Sequence, residues 1–86
     1  MIIFKKFYAE WCVPCRNLTP IVDQLKSEYP DITFVEINID DQVDETKAAG
    51  VRAVPTVIIE KDGQAVQRMS GLKTKQQYID AINQSL

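Results

Sequence analysis

The sequence predicts one α/β domain over residues 1–86, in which a four-stranded mixed sheet is flanked by helices. Two observations support this prediction. Apolar, β-branched segments alternate with segments of helical periodicity, and an Asp-Gly turn joins the last two strands. The element order is β-α-β-α-β-β-α. Because a helix crosses between the first two strands, we expect them to be parallel, whereas the short turn makes the last two antiparallel.

The first strand and the first helix follow from composition and spacing. Residues 2–8 are rich in Ile, Phe and Tyr, and their alternation places Lys5 and Lys6 on opposite faces of the strand. Residues 13–29 predict a helix. Its apolar positions at helical spacing are Leu18, Ile21, Val22 and Leu25. Pro14 is tolerated in the first turn, whereas Pro20 lies inside the helix and should kink it.

The middle of the chain predicts two strands with a short helix between them. Residues 32–39 are β-branched and predict the second strand. Residues 42–49 predict a short helix with Gly50 as its C-cap. Residues 54–60 predict the third strand.

A hairpin and a helix complete the predicted domain. Lys61-Asp62-Gly63-Gln64 carries the Asp-Gly hairpin signal, and residues 65–70 predict an edge strand. Residues 74–85 predict an amphipathic helix with Thr74 as its N-cap. Its inward side chains are expected to be Tyr78, Ile79 and Ile82.

Composition excludes several classes of function. A net charge of −2 offers little attraction to nucleic acid or to an anionic membrane. No apolar run approaches the ~18 residues of a membrane span, and the first residues do not resemble a secretory signal, so we expect a cytoplasmic protein. The chain has no histidine, which removes the commonest general base and metal ligand.

Cys12-Val13-Pro14-Cys15 is the segment with the most evident chemistry. As a structural staple it would be weak, because closing so small a loop contributes about 2 kcal/mol, against about 3 for fifteen residues. Zinc needs about four ligands, and two cysteines supply half a site unless two chains share the metal. A redox pair is the favoured interpretation; a structural disulfide, unreactive thiols or a shared metal remain open.

The position of the pair supports redox chemistry. Cys12 stands where a strand ends and a helix begins, so unpaired N–H groups and the helix dipole favour its thiolate. We expect Cys12 to be the nucleophile and Cys15, one turn further on, to resolve a mixed disulfide. Arg16 adds positive charge nearby.

Four segments together resemble the thioredoxin family. They are FYAEWCVPC at 7–15, VEINIDDQ at 35–42, GVRAVPTVIIEKDG at 50–63 and SGL at 70–72. The resemblance covers nearly the whole chain in order, with Val13 where most members carry glycine. Because the chain starts at the catalytic strand, we expect a minimal, glutaredoxin-sized version with strand order 2-1-3-4.

The resemblance implies an activity and partners. It implies a protein thiol–disulfide oxidoreductase, most simply a general reductant, with no cofactor beyond the Cys12–Cys15 disulfide. Its partners would be disulfide-containing proteins and a thioredoxin-reductase-like flavoprotein, with no nucleic acid or membrane, and the chain would be a monomer. An oxidant or isomerase is an alternative, since Val13 lies between the cysteines. A non-catalytic binding subunit is another.

The resemblance also implies a substrate groove. Its residues are Trp11, Val13, Pro14, Val54, Pro55, Gly71 and Leu72. The Val54–Pro55 bond is expected to be cis in this family context, leaving the backbone of Val54 free to pair with an extended substrate. A core position is the alternative interpretation of Trp11.

Lys6 and Glu36 occupy positions where the family carries the opposite charges. Alternation puts Lys6 on the side of Phe4, and Glu36 on the side of Phe34. A lone charge among apolar groups is costly, which favours an ion pair beneath the active site over two unrelated surface residues. In that arrangement Glu36 would accept the proton of Cys15, and Lys6 would favour ionisation of the thiols.

Overall fold

The computed structural model describes residues 1–86 and contains the predicted order of elements. These are β1 (Ile2–Tyr8), α1 (Val13–Glu28), β2 (Thr33–Asn38), α2 (Val43–Ala48), β3 (Thr56–Lys61), β4 (Gln64–Ser70) and α3 (Lys75–Ser85). The sheet order is β2-β1-β3-β4. β1 runs parallel to β2 and antiparallel to β3, and β4 is antiparallel to β3. The mixed four-stranded sheet and its order are therefore confirmed.

The third strand begins later than the sequence predicts. β3 starts at Thr56 rather than at residue 54, because Pro55 has no N–H to donate to the sheet. Val54 and Pro55 instead belong to the loop that precedes the strand. Both residues therefore lie outside the sheet, and Val54 packs against the two cysteines.

The two faces of the sheet are covered unequally. On one face, α1 and α3 close over the main core. Its buried residues are Phe4, Leu18, Val22, Leu25, Ile32, Val57, Ile59, Tyr78, Ala81 and Ile82. On the other face, Phe7, Ile37 and Ile58 form a smaller cluster, against which Ala49 and Val51 pack after the end of α2. No helix of the structure has both the length and the apolar character needed to cross a bilayer.

Turn chemistry fixes the connections around this core. Asp62 and Gly63 both have positive φ, 53° and 86°, which is the backbone that two-residue hairpins require. After α2, Gly50 has φ 69°; its N–H bonds to the carbonyl of Lys47, and the N–H of Val51 bonds to that of Thr46. This pair of bonds is a Schellman motif, so Gly50 ends α2 one residue beyond the cap, Ala49.

The last helix begins with a complete capping box. The Thr74 hydroxyl accepts from the N–H of Gln77 at 3.2 Å, and the Gln77 side chain accepts from the N–H of Thr74 at 2.9 Å.

We expect Thr74→Ala to lower the free energy of unfolding by about 1 kcal/mol, measured by urea denaturation. Gln77→Ala removes the other of the two bonds and is measured for comparison. An equal stability of Thr74→Ala and wild type would contradict this assignment.

Candidate active site

The two cysteines lie at the junction of β1 and α1. Cys12 is the N-cap of α1 in extended backbone geometry, and Cys15 lies in the first turn of that helix. They form a disulfide with Cα atoms 5.3 Å apart. Both are buried, and they pack with Ala9 beneath the half-buried Val54. The strand-to-helix position expected from the sequence is confirmed.

The start of α1 is polarised in favour of negative charge on Cys12. The N–H of Cys15 donates to Cys12 Sγ at 3.1 Å, and the first turn of the helix contains no acidic residue. Pro14 occupies the first turn, where its missing N–H costs no intrahelical bond. A thiolate at Cys12 would therefore face an N–H donor and the positive end of the helix dipole.

Trp11 stands at the rim of the site. Its side chain is 66% exposed, so the alternative of a core position is wrong. The indole Nε1 donates to Asp40 Oδ2 at 2.9 Å, and the N–H of Asp40 donates to Asn38 Oδ1 at 2.9 Å. Asp40 was not predicted as a site residue, although its position directly after β2 could have indicated it, since parallel strands end at the same edge of the sheet.

The opposite side of the site is made by two loops. The Val54–Pro55 bond is cis, as expected from the family context. The carbonyl of Pro55 accepts from the N–H of Gly71 at 2.8 Å, which ties the loop before β3 to the end of β4. Leu72 follows and is 41% exposed. Val13, which follows Cys12 in the chain, is 59% exposed, and Val54 packs against the two cysteines.

Lys6 and Glu36 form the ion pair that the sequence predicts. They are directly opposite each other in the β1–β2 register, and Lys6 Nζ lies 3.7 Å from Glu36 Oε1. Lys6 also donates to Thr19 Oγ1 at 3.1 Å and lies 5.5 Å from the centre of the Tyr8 ring. Thr19, one turn after Cys15 on α1, was missed, although its helical spacing from Cys15 could have indicated it.

Lys6 and Glu36 differ in their exposure to solvent, although alternation places both on the core side of their strands and predicts a pair beneath the active site. Lys6 is only 3% exposed, whereas the Glu36 side chain remains 44% exposed. The reason is the strand order: β2 is the edge strand, so Glu36 reaches water beside the sheet. Burial lowers the pKa of Lys6, and the negative charges of Glu36 and Asp23 offset part of that shift.

A cavity of about 370 Å³ joins this pair to the inner cysteine. Its lining residues are Lys6, Tyr8, Ala9, Glu10, Cys15, Arg16, Thr19 and Glu36. Cys15 borders the cavity and Cys12 does not. A proton that enters or leaves by way of this cavity would therefore reach Cys15 rather than Cys12.

Comparisons with known proteins agree with this geometry. A family model described as thioredoxin matches residues 1–84. The chain is 41% identical to a thioredoxin of Chlamydia caviae over 83 residues, covering 96% of this chain and 81% of that protein. It is 37% identical to a thioredoxin of Rickettsia typhi over 81 residues, covering 93% and 77%.

Solved structures agree as well. The thioredoxin of Fasciola hepatica superposes with a TM-score of 0.93 at 33% identity, covering 99% of this chain and 81% of that one. The oxidised mitochondrial thioredoxin 3 of Saccharomyces cerevisiae gives a TM-score of 0.90 at 32% identity, covering 96% and 77%. With its disulfide at the N-terminus of α1, the chain is a thiol–disulfide oxidoreductase and belongs to the thioredoxin family.

Proposed function

We propose that the chain is a general reductant of protein disulfides. The observation that supports this most directly is the position of Cys12, which accepts an N–H bond at the start of α1 and lies beside exposed apolar side chains. Trp11, Val13 and Leu72 supply a surface suited to a loop or an unfolded segment that carries a disulfide. No cofactor beyond the Cys12–Cys15 disulfide enters the proposal.

The proposed reaction takes place in two exchange steps. In the reduced protein, the Cys12 thiolate attacks one sulfur of the substrate disulfide, and the other substrate sulfur leaves as a thiolate. Cys15 then loses its proton and attacks Cys12 Sγ, which releases the second substrate sulfur. Two electrons pass to the substrate, and the Cys12–Cys15 disulfide forms.

We assign Lys6 and Glu36 to the proton of Cys15. Both line the cavity that Cys15 borders, and Glu36 also contacts solvent. In this proposal Glu36 accepts the proton, directly or through water. Lys6 favours negative charge at both the carboxylate and the thiol.

The groove residues are assigned to substrate docking. The backbone N–H and carbonyl of Val54 form no hydrogen bond within the protein. An extended substrate segment can therefore pair with Val54 as an added strand would. Pro14, Pro55 and Gly71 shape the walls of the groove and contribute no side-chain donor.

Family membership suggests the partners and setting of this reaction. We propose that a flavin-dependent thioredoxin reductase returns electrons to the Cys12–Cys15 disulfide, and that disulfide-containing proteins receive them. We further propose a cytoplasmic monomer that takes part in electron transport and redox homeostasis. The net charge of −2 offers little overall attraction to nucleic acid or to an anionic membrane.

The reduction potential tests the direction of the reaction. Equilibration of the Cys12–Cys15 pair with dithiol and glutathione buffers should give a value near −270 mV, typical of thioredoxins. Insulin reduction by dithiothreitol should then be catalysed. A potential above about −200 mV, with oxidation of reduced substrates, would instead support an oxidant or isomerase. In that case Val13, which lies between the cysteines, would be the first residue to replace.

A further inference from the structure

The side chain of Arg68, on β4, binds backbone carbonyls at the C-terminal end of α2. Arg68 Nη1 donates to the carbonyl of Ala49 and Arg68 Nη2 to the carbonyl of Gly50, both at 2.7 Å. Arg68 is opposite Ile58 in the β3–β4 register, on the sheet face where Ala49 packs. Two nitrogens of one planar group therefore hold two successive carbonyls.

These carbonyls lack other backbone partners. The Schellman motif uses the carbonyls of Thr46 and Lys47, which leaves those of Ala49 and Gly50 without an N–H donor. A helix C-terminus also carries partial negative charge, which a cation stabilises. The planar guanidinium of an arginine can bind two neighbouring oxygens at once, which matches this geometry better than the compact ammonium group of a lysine does.

The segment that follows is the loop that faces the substrate. In loop 51–55, the N–H groups of Arg52, Ala53 and Val54 form no hydrogen bond within the protein. The far end of the loop is held by the Thr56 hydroxyl, which donates to the carbonyl of Ala53 at 2.6 Å. It is also held by Gly71, directly after β4, through the carbonyl of Pro55. β4 and its continuation thus anchor both ends of the loop.

We infer that Arg68 is a positioning residue for protein-disulfide reduction. It acts through loop 51–55: by fixing the carbonyls of Ala49 and Gly50, it places the backbone of Val54 beside the cysteines. The inference rests on the proposed reduction of protein disulfides. It assigns Arg68 no contact with the reacting sulfurs, so the chemistry at Cys12 should not depend on it.

The test compares a protein substrate with a small one. In Arg68→Met, KM for insulin disulfides, with dithiothreitol as reductant, should rise about fivefold while kcat stays unchanged, which corresponds to about 1 kcal/mol. Arg68→Lys should recover part of the loss. The rate with dithiobisnitrobenzoate, which needs no strand pairing, should equal that of wild type. Lys61→Met removes one exposed positive charge at the end of β3 and serves as the control; it should leave KM unchanged.

Hydrogen exchange gives a second measurement on the same variants. In Arg68→Met, the amides of Gly50 and Val51 should exchange about fivefold faster, since the loop start is less fixed. A fall in kcat at constant KM would indicate partial unfolding and would overturn the positioning role. An unchanged KM together with an unchanged rate of amide exchange would also overturn it. If wild type itself fails to reduce insulin while reducing the small disulfide, the proposed function fails, independently of Arg68.

Discussion

Cys15→Ser is expected to accumulate a stable disulfide between Cys12 and a protein substrate, whereas Cys12→Ser loses disulfide reduction altogether. The first variant keeps the attacking thiol at the start of α1, where the N–H at position 15 still donates to Cys12 Sγ. It lacks the thiol that would release the substrate, so the reaction stops after the first exchange. The second variant keeps a thiol only at the inner position, beside the cavity.

The trapping experiment has a direct readout. Each variant, fully reduced, is mixed with an oxidised protein that carries one disulfide, quenched with acid, and measured by intact mass under non-reducing conditions. An adduct should form with Cys15→Ser, and neither with Cys12→Ser nor with the double serine variant. In the insulin assay, Cys12→Ser should not exceed the rate of dithiothreitol alone. An adduct on Cys15 in Cys12→Ser would show that the two roles are reversed. Solvent exposure alone does not distinguish the two cysteines, which are 4% and 2% exposed.

Local signals were enough to predict the architecture that positions the cysteines. Strand alternation put Lys6 on the face of Phe4, and the β1–β2 register places Lys6 opposite Glu36 as a parallel pair requires. The hairpin turn at Asp62 and the N-cap at Thr74 each depend on a few neighbouring residues. Such features can be predicted because their geometry depends only on residues that are close together in the sequence.

Contacts that depend on strand order or on distant loops could not be predicted in the same way. The exposure of Glu36 follows from β2 being an edge strand, which the strand order expected from the family resemblance implies and local signals alone do not. Lys5, which alternation places on the face opposite Lys6, binds Glu60 Oε2 at 2.8 Å on the neighbouring strand. Its hydrogen bond to Glu60 raises the pKa of Lys5. The Trp11–Asp40 and Arg68–Gly50 bonds join parts of the chain that only the complete sheet brings together.

Replacing Lys6 by aspartate is expected to lower the free energy of unfolding by about 3 kcal/mol or more at pH 7. The new carboxylate would lie in a site that is only 3% exposed, opposite the Glu36 carboxylate, with no cation between them. Adding Glu36→Lys should recover about half of the loss, because opposite charges again face each other across β1 and β2. The recovery should be incomplete, since a shorter side chain at position 6 leaves space beneath Tyr8.

The pH dependence separates charge from packing at this site. Burial holds the pKa of Lys6 below the unfolded value of 10.5. Below the folded pKa both states carry the proton, so the cost of burying the charge is fully present. Between the folded pKa and 10.5 the unfolded state binds more protons, so wild-type stability rises with pH through this window. Lys6→Met removes the titrating group, so the stability of wild type relative to Lys6→Met should rise between pH 7 and pH 10.

Urea denaturation of the four proteins — wild type, Lys6→Asp, Glu36→Lys and the double variant — completes a double-mutant cycle. Since the two side chains are 3.7 Å apart, the cycle should give a coupling energy of about 1 kcal/mol or more, with the double variant more stable than the sum of the single changes. Lys6→Met supplies the matched uncharged side chain. If the two single changes simply add, then the charge on Lys6 does not couple to Glu36. Its assignment to the proton of Cys15 would then be wrong.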